Sequence, residues 1–104
     1  AVFSRYVERM KAVRLSAKAR ADFHDIVVAT AEQWGDEQAE RYALGLAAAI
    51  ERLAEHPDRY PVAGARWPGV RRLRAGRHIL FFRQVPRCVM VIRILHERDY
   101  ASRL

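Results

Sequence analysis

Two amphipathic stripes separated by Trp34-Gly35-Asp36 constrain this chain more than any other feature. From Ala17 onward the stripe positions are Phe23, Ile26, Val27, Thr30 or Ala31, and Trp34. Spacings of three and four put them on one face of a helix. Ser16 stands where an N-cap belongs, its hydroxyl free to take a first-turn N–H. Gly35 permits the left-handed backbone that closes a helix. Asp36 is expected to cap the next helix, with Glu37 at the positive end of its dipole. The second stripe is Ala39, Tyr42, Ala43, Leu46, Ala49, Ile50 and Leu53, and His56-Pro57 is its expected stop. So short a connection forces the two helices antiparallel, an αα-hairpin.

The rest of the chain is built to receive that hairpin. Residues 10–15 alternate loosely and read as a short strand. Residues 57–69 hold three of the four prolines and have no period, so they read as a loop. Three strand-like runs follow: Val70 to Ala75, Arg77 to Val85, and Cys88 to His96. Their connections suit hairpins, which predicts an antiparallel meander. The last two runs are apolar on both faces, as central strands covered on both sides would be. Residues 97–104 read as a polar tail. The expected fold is α+β and two-layered, a helical hairpin packed on an antiparallel sheet in the order β-α-α-β-β-β. Residues 10–104 form a single domain, and residues 1–9, before Met10-Lys11, read as an N-terminal extension that need not be native.

Composition narrows the setting. The chain has 104 residues, enough for one core and not two. No apolar run reaches the roughly 18 residues of a membrane span. A secretory leader is not evident, and Cys88, the single cysteine, allows no internal disulfide. A cytoplasmic protein is the expectation. The formal net charge is +7. Residues 1–60 carry 9 Lys/Arg and 10 Asp/Glu, a sum of −1, whereas residues 61–104 carry 10 Arg, no Lys and 2 acids, a sum of +8. A polyanionic partner, nucleic acid or an acidic protein segment, is one reading of that asymmetry; arginines that merely solvate a sheet are the other.

Little in the chain has the pattern of catalysis. There is no phosphate-binding glycine loop, no Cys/His metal pattern and no serine elbow, so neither metal nor cofactor is expected. His78 reads as an aromatic packing residue in a strand, and Cys88 as a buried small apolar group. His96 ends the last strand beside Arg98 and Tyr100, a group able in principle to do acid/base work on RNA, or simply a polar sheet edge. Arg83 and Arg93 interrupt apolar strands, where a cation needs either an acid partner or an open groove.

The runs LSAKARADFHDI, WGDEQAERY with LAAAIERLAEHP behind it, VRRLRAGRHILFFRQV and VMVIRILHERD resemble the ParE toxins of type II toxin–antitoxin systems, within the ParE/RelE superfamily. The resemblance covers residues 10–99 and implies that family's strand–helix–helix–three-strand order. It implies a toxin that inhibits DNA gyrase, and so replication, by binding. The RelE branch consists instead of ribosome-dependent mRNA endoribonucleases. In this chain Ile79 stands where RelE-like strands carry an arginine, and an alkyl group cannot stabilise phosphorane charge. His96, Arg98 and Tyr100 remain the catalytic set of that alternative. For the gyrase reading the candidate target-binding residues are Arg83, Arg93, His96, Arg98 and Tyr100. The resemblance also implies a ParD-like antitoxin with an acidic amphipathic C-terminal segment, in a heteromeric complex. Its expected seat is a groove between hairpin and sheet at Trp34, Tyr42, Leu46, Leu53 and Leu73, with Trp67 beside it and Arg72 and Arg74 meeting its carboxylates.

Overall fold

A computed structural model describes residues 13–102, with side chains to Tyr100. The expectations for residues 1–9 and for a strand beginning at Met10 lie outside the described residues. The element order is β1 (Val13–Leu15), α1 (Ala17–Trp34), α2 (Asp36–Leu53), a 3-10 turn (Pro57–Arg59), β2 (Arg71–Ala75), β3 (His78–Val85), β4 (Cys88–His96) and α3 (Glu97–Ser102). No described helix is long and apolar enough to cross a membrane.

Ser16 performs two tasks with one hydroxyl. Its Oγ accepts the Ala19 N–H at 3.0 Å, capping α1, and donates to the Ile92 carbonyl of β4 at 2.8 Å. The start of α1 is thereby pinned to the sheet. Gly35 ends one helix and begins the next. Its N–H donates to the Ala31 carbonyl at 2.9 Å, and its own carbonyl accepts from the Ala39 N–H at 3.1 Å. The backbone there has φ 93° and ψ 165°, a region effectively reserved for glycine. Asp36 is therefore not the cap: it lies inside the first turn of α2, where its charge and that of Glu37 favour the dipole without a capping hydrogen bond. The α-helix also ends at Leu53, three residues before His56. The Ala54 and Glu55 N–H groups bond back three residues, tightening the last turn before Pro57.

The sheet order is β1-β4-β3-β2. β2, β3 and β4 form the expected antiparallel meander, and β1 joins β4 in parallel, so the whole sheet is mixed. Alternation along the strands sends side chains to two separate cores. On the helix side Phe23, Leu46, Ile50, Leu53, Leu80, Phe82 and Val91 pack in one cluster. On the far side Ala63, Val70, Ile79, Phe81 and Leu95 pack in another, under the loop. Trp67 lies flat on Phe81, centroids 5.0 Å apart, and Tyr100 leans on the same ring at 5.1 Å. The supposed polar tail is thus in part the short helix α3, anchored by Tyr100, whose hydroxyl donates to the Ala63 carbonyl at 2.6 Å. One aromatic in six residues leaves no period to read. Cys88 is half-buried rather than enclosed.

Candidate functional site

An irregularity in β4 shapes the region where hairpin meets sheet. Phe81 pairs with Arg93 but Phe82 pairs with Val91, so Ile92 is an extra, bulged residue. Asp22 on α1 answers that bulge. Its Oδ2 accepts the Ile94 N–H at 2.8 Å and the Arg93 Nε–H at 2.9 Å, and its Oδ1 accepts from Arg93 Nη2 at 3.1 Å. The charge-assisted pair raises the pKa of Arg93. Of the two readings for an arginine inside this strand, an acid partner or a groove, Arg93 satisfies both, because it also faces an open cleft of about 750 Å³.

That cleft lies between the tip of the hairpin and the far ends of β3 and β4. Trp34, Tyr42, Arg77, His78, Arg93 and His96 are among its walls. Tyr42 is its centre. The phenol lies 2.5 Å from His78 Nδ1 and accepts the Arg77 N–H at 3.1 Å. Burial raises the Tyr42 pKa, which keeps the phenol neutral. Burial, and after it the neighbouring His96, lowers the His78 pKa. The His78 and His96 rings meet edge to face at 5.3 Å. His96 Nδ1 accepts the Arg98 N–H at 3.1 Å, which places its ring proton on Nε2 when neutral. Gly76, at φ 60°, makes the β2–β3 turn, and a Cβ there would stand 2.8 Å from the Tyr42 oxygen. Conformation and space both require glycine.

The structure divides the residues singled out from sequence. Trp34, 66% exposed, stands at the cleft's lip, and Tyr42, Arg93 and His96 line it. Leu46 and Leu53, at 2% and 0% exposure, are core and cannot meet a partner, because the helical stripe they belong to is the one pressed on the sheet. Leu73 is half-buried on the helix side of β2. Trp67, Arg72 and Arg74 lie on the opposite side, where Arg74 pairs with Glu97 and the Arg72 Nε is enclosed without a hydrogen-bond partner. Arg83 is exposed on that opposite side too, Arg98 is exposed on α3, and Tyr100 is held under the loop. The five candidate target-binding residues therefore do not form one constellation. Asp22, Arg77 and His78 belong to the cleft and carried no signal in the sequence, since strand pairing through the bulge is what brings His78 opposite His96. Ile79 is buried in the far-side core. Among the described residues no group of three His, Cys, Asp or Glu side chains could hold a metal ion.

The family described as "ParE toxin of type II toxin-antitoxin system, parDE" matches residues 13–100. A Toxin ParE1 of Caulobacter vibrioides is 43% identical over 88 residues, 85% of this chain and 91% of that protein. A Toxin ParE1 of Mycobacterium tuberculosis is 39% identical over 85 residues, 81% of this chain and 87% of that protein. A Toxin ParE of Escherichia coli is 35% identical over 99 residues, 91% of this chain and 94% of that protein. A chain in the solved structure "Chromosomal ParDE TA system from P. aeruginosa" superposes with a TM-score of 0.74 at 21% identity, covering 84% of this chain and 96% of that one.

Proposed function

The chain belongs to the ParE toxin family of type II toxin–antitoxin systems, and from that premise we propose that it inhibits DNA gyrase by binding and is neutralised by a ParD-like antitoxin. One observation carries the choice of binding over RNA cleavage. Of the groups a ribonuclease would need at the end of β4, Tyr100 is spent on the fold and His96 keeps only one ring nitrogen free. The Tyr100 hydroxyl is donated to the Ala63 carbonyl, and His96 Nδ1 accepts from the Arg98 backbone. Arg93 is clamped by Asp22, and Ile79 is buried core. A general acid and base must be free to reach the scissile group.

The target surface of this proposal is the cleft's basic rim, Arg93 with His96, and the exposed Arg98 of α3, which Tyr100 supports; Arg83, on the other face of the sheet, is a separate contact. The antitoxin segment, acidic and amphipathic, rests its apolar side on Trp34 and Tyr42 in the cleft, and a further stretch of it passes to the opposite face, where its carboxylates meet Arg72 and Arg74 of β2. The complex is heteromeric and cytoplasmic. Purified toxin should block supercoiling by gyrase, or accumulate cleaved DNA, at micromolar concentration. Unchanged supercoiling and cleavage at that level overturns the gyrase reading. Codon-dependent cutting of mRNA in a translation assay, lost in Tyr100→Phe, replaces it with the ribonuclease.

A further inference from the structure

We propose that the sheet face turned away from the hairpin carries a docking strip for an acidic amphipathic helix, built on the cross-strand row Arg14–Met90–Arg83. Met90 pairs with Arg14 across β1–β4 and with Arg83 across β4–β3. Partners across a sheet stand on one face. Their chain neighbours Val13, Leu15, Val89, Val91 and Phe82 all lie in the helix-side core, so the row points the other way. Both arginines are exposed and Met90 is half-buried. The loop and α3 cover Ile79, Phe81 and Leu95, and Met90 belongs to neither core cluster. Arg14 and Arg83 have no carboxylate partner among the described residues. Arg72, with its enclosed and unpartnered Nε, lies on the same face opposite Phe81.

Charge and composition select the occupant. Two guanidinium groups without a carboxylate partner among the described residues, flanking a thioether, call for two carboxylates flanking an apolar side chain. Residues 61–104, which supply three of the four strands, have 10 Arg and no Lys. Arginine and methionine are enriched at protein interfaces and lysine is depleted, whereas a phosphate backbone takes either cation. The spacing favours a helix crossing the strands. Strands lie about 4.8 Å apart, so the outer arginines of the row stand about 10 Å apart. A helix rises about 10.5 Å from position i to i+7, with i+3 and i+4 between them on the same face. The matching ligand is therefore acid at i, apolar at i+3 and i+4, and acid at i+7. This rests on the antitoxin reading above: the helix is part of the antitoxin's acidic segment. Because it covers Arg83, neutralisation occludes part of the target surface directly.

The full chain labelled with 13C-methyl methionine tests this, since only two methionines report. The probe is a synthetic helical peptide with Glu at i and i+7 and Leu at i+3 and i+4. The Met90 methyl signal should move and saturate. Arg14→Ala and Arg83→Ala should each weaken binding about tenfold, and Met90→Lys should abolish it, with amide spectra that remain those of the folded chain. Arg52→Ala, on an exposed site of α2, should change nothing. A scrambled peptide of the same composition that binds equally well overturns the register. A DNA duplex that moves the signal where the peptide does not makes the face a nucleic-acid surface instead. A signal that moves with toxin concentration alone makes it a self-association surface. The readout needs neither gyrase nor growth arrest, so a failed strip with intact gyrase inhibition refutes this inference alone.

Discussion

The two faces of the sheet are closed by different means. On the helix side, α1 and α2 lay continuous stripes over Leu80, Phe82 and Val91. On the other side an aperiodic loop and a six-residue helix close over Phe81, with Trp67 and Tyr100 as the two ring contacts. The first cover is periodic and self-consistent along the chain. The second depends on contacts between segments far apart in sequence, and it stops short of the Arg14–Met90–Arg83 row. Long helices bury a whole face; a loop pinned at two rings buries part of one.

Phe82→Ala empties a fully buried site on the helix side and should cost about 3–5 kcal/mol, read as a large loss of chemical-denaturation midpoint. If Trp67→Ala costs as much, the two covers are energetically equal and the contrast fails. Asp22→Ala should cost about 2–3 kcal/mol, because it leaves the Arg93 guanidinium and the bulge N–H of Ile94 without their shared acceptor. Asp22→Asn, which keeps one acceptor oxygen, should recover part of that loss in the same denaturation experiment. Tyr100→Phe keeps the ring on Phe81 and removes only the bond to Ala63, so about 1 kcal/mol should go. Faster proteolysis of the 57–70 loop, with the hairpin intact, is the expected signature of a locally loosened cover.

The smallest effect is one of pH and belongs to the cleft. His78 has a lowered pKa in the folded chain, whereas the unfolded chain titrates near the ordinary value of 6.5. The unfolded state therefore binds the proton first, and stability rises with pH across that window. Its contribution is complete above about pH 6.5, declines as the pH falls from there through the folded value, and is level below it. His78→Phe, which keeps an aromatic at this position, should flatten that part of a melting-temperature profile, and an unchanged slope would assign the effect elsewhere.

Much of the fold was legible because its periods are local. Phe23 and Ile50 declare their burial by spacing alone, and Ser16 declares the start of α1. The site was legible only in fragments. Trp34, Tyr42, Arg93 and His96 could be picked out by type, but Leu46 and Leu53 were indistinguishable from groove residues until their stripe met the sheet. Asp22 looked like one more acid on a helix surface. The His78–His96 pair could not be read at all. The hairpin turn pairs Val85 with Cys88, and regular pairing from there would set His78 opposite Leu95; the bulge at Ile92 moves it to His96.

What the sequence determined by itself is the hairpin, the meander and the concentration of arginine in the second half. Those follow from the 3.6-residue and two-residue periods and from counting charge, all properties of neighbours along the chain. What only the tertiary structure decided is which arginines are spoken for. Arg93 has Asp22 and Arg74 has Glu97, while Arg14 and Arg83 flank Met90 without a carboxylate among the described residues. Ion pairs and cross-strand rows join residues tens of positions apart. Their partners are fixed by register, and register is set when the helices close on the sheet.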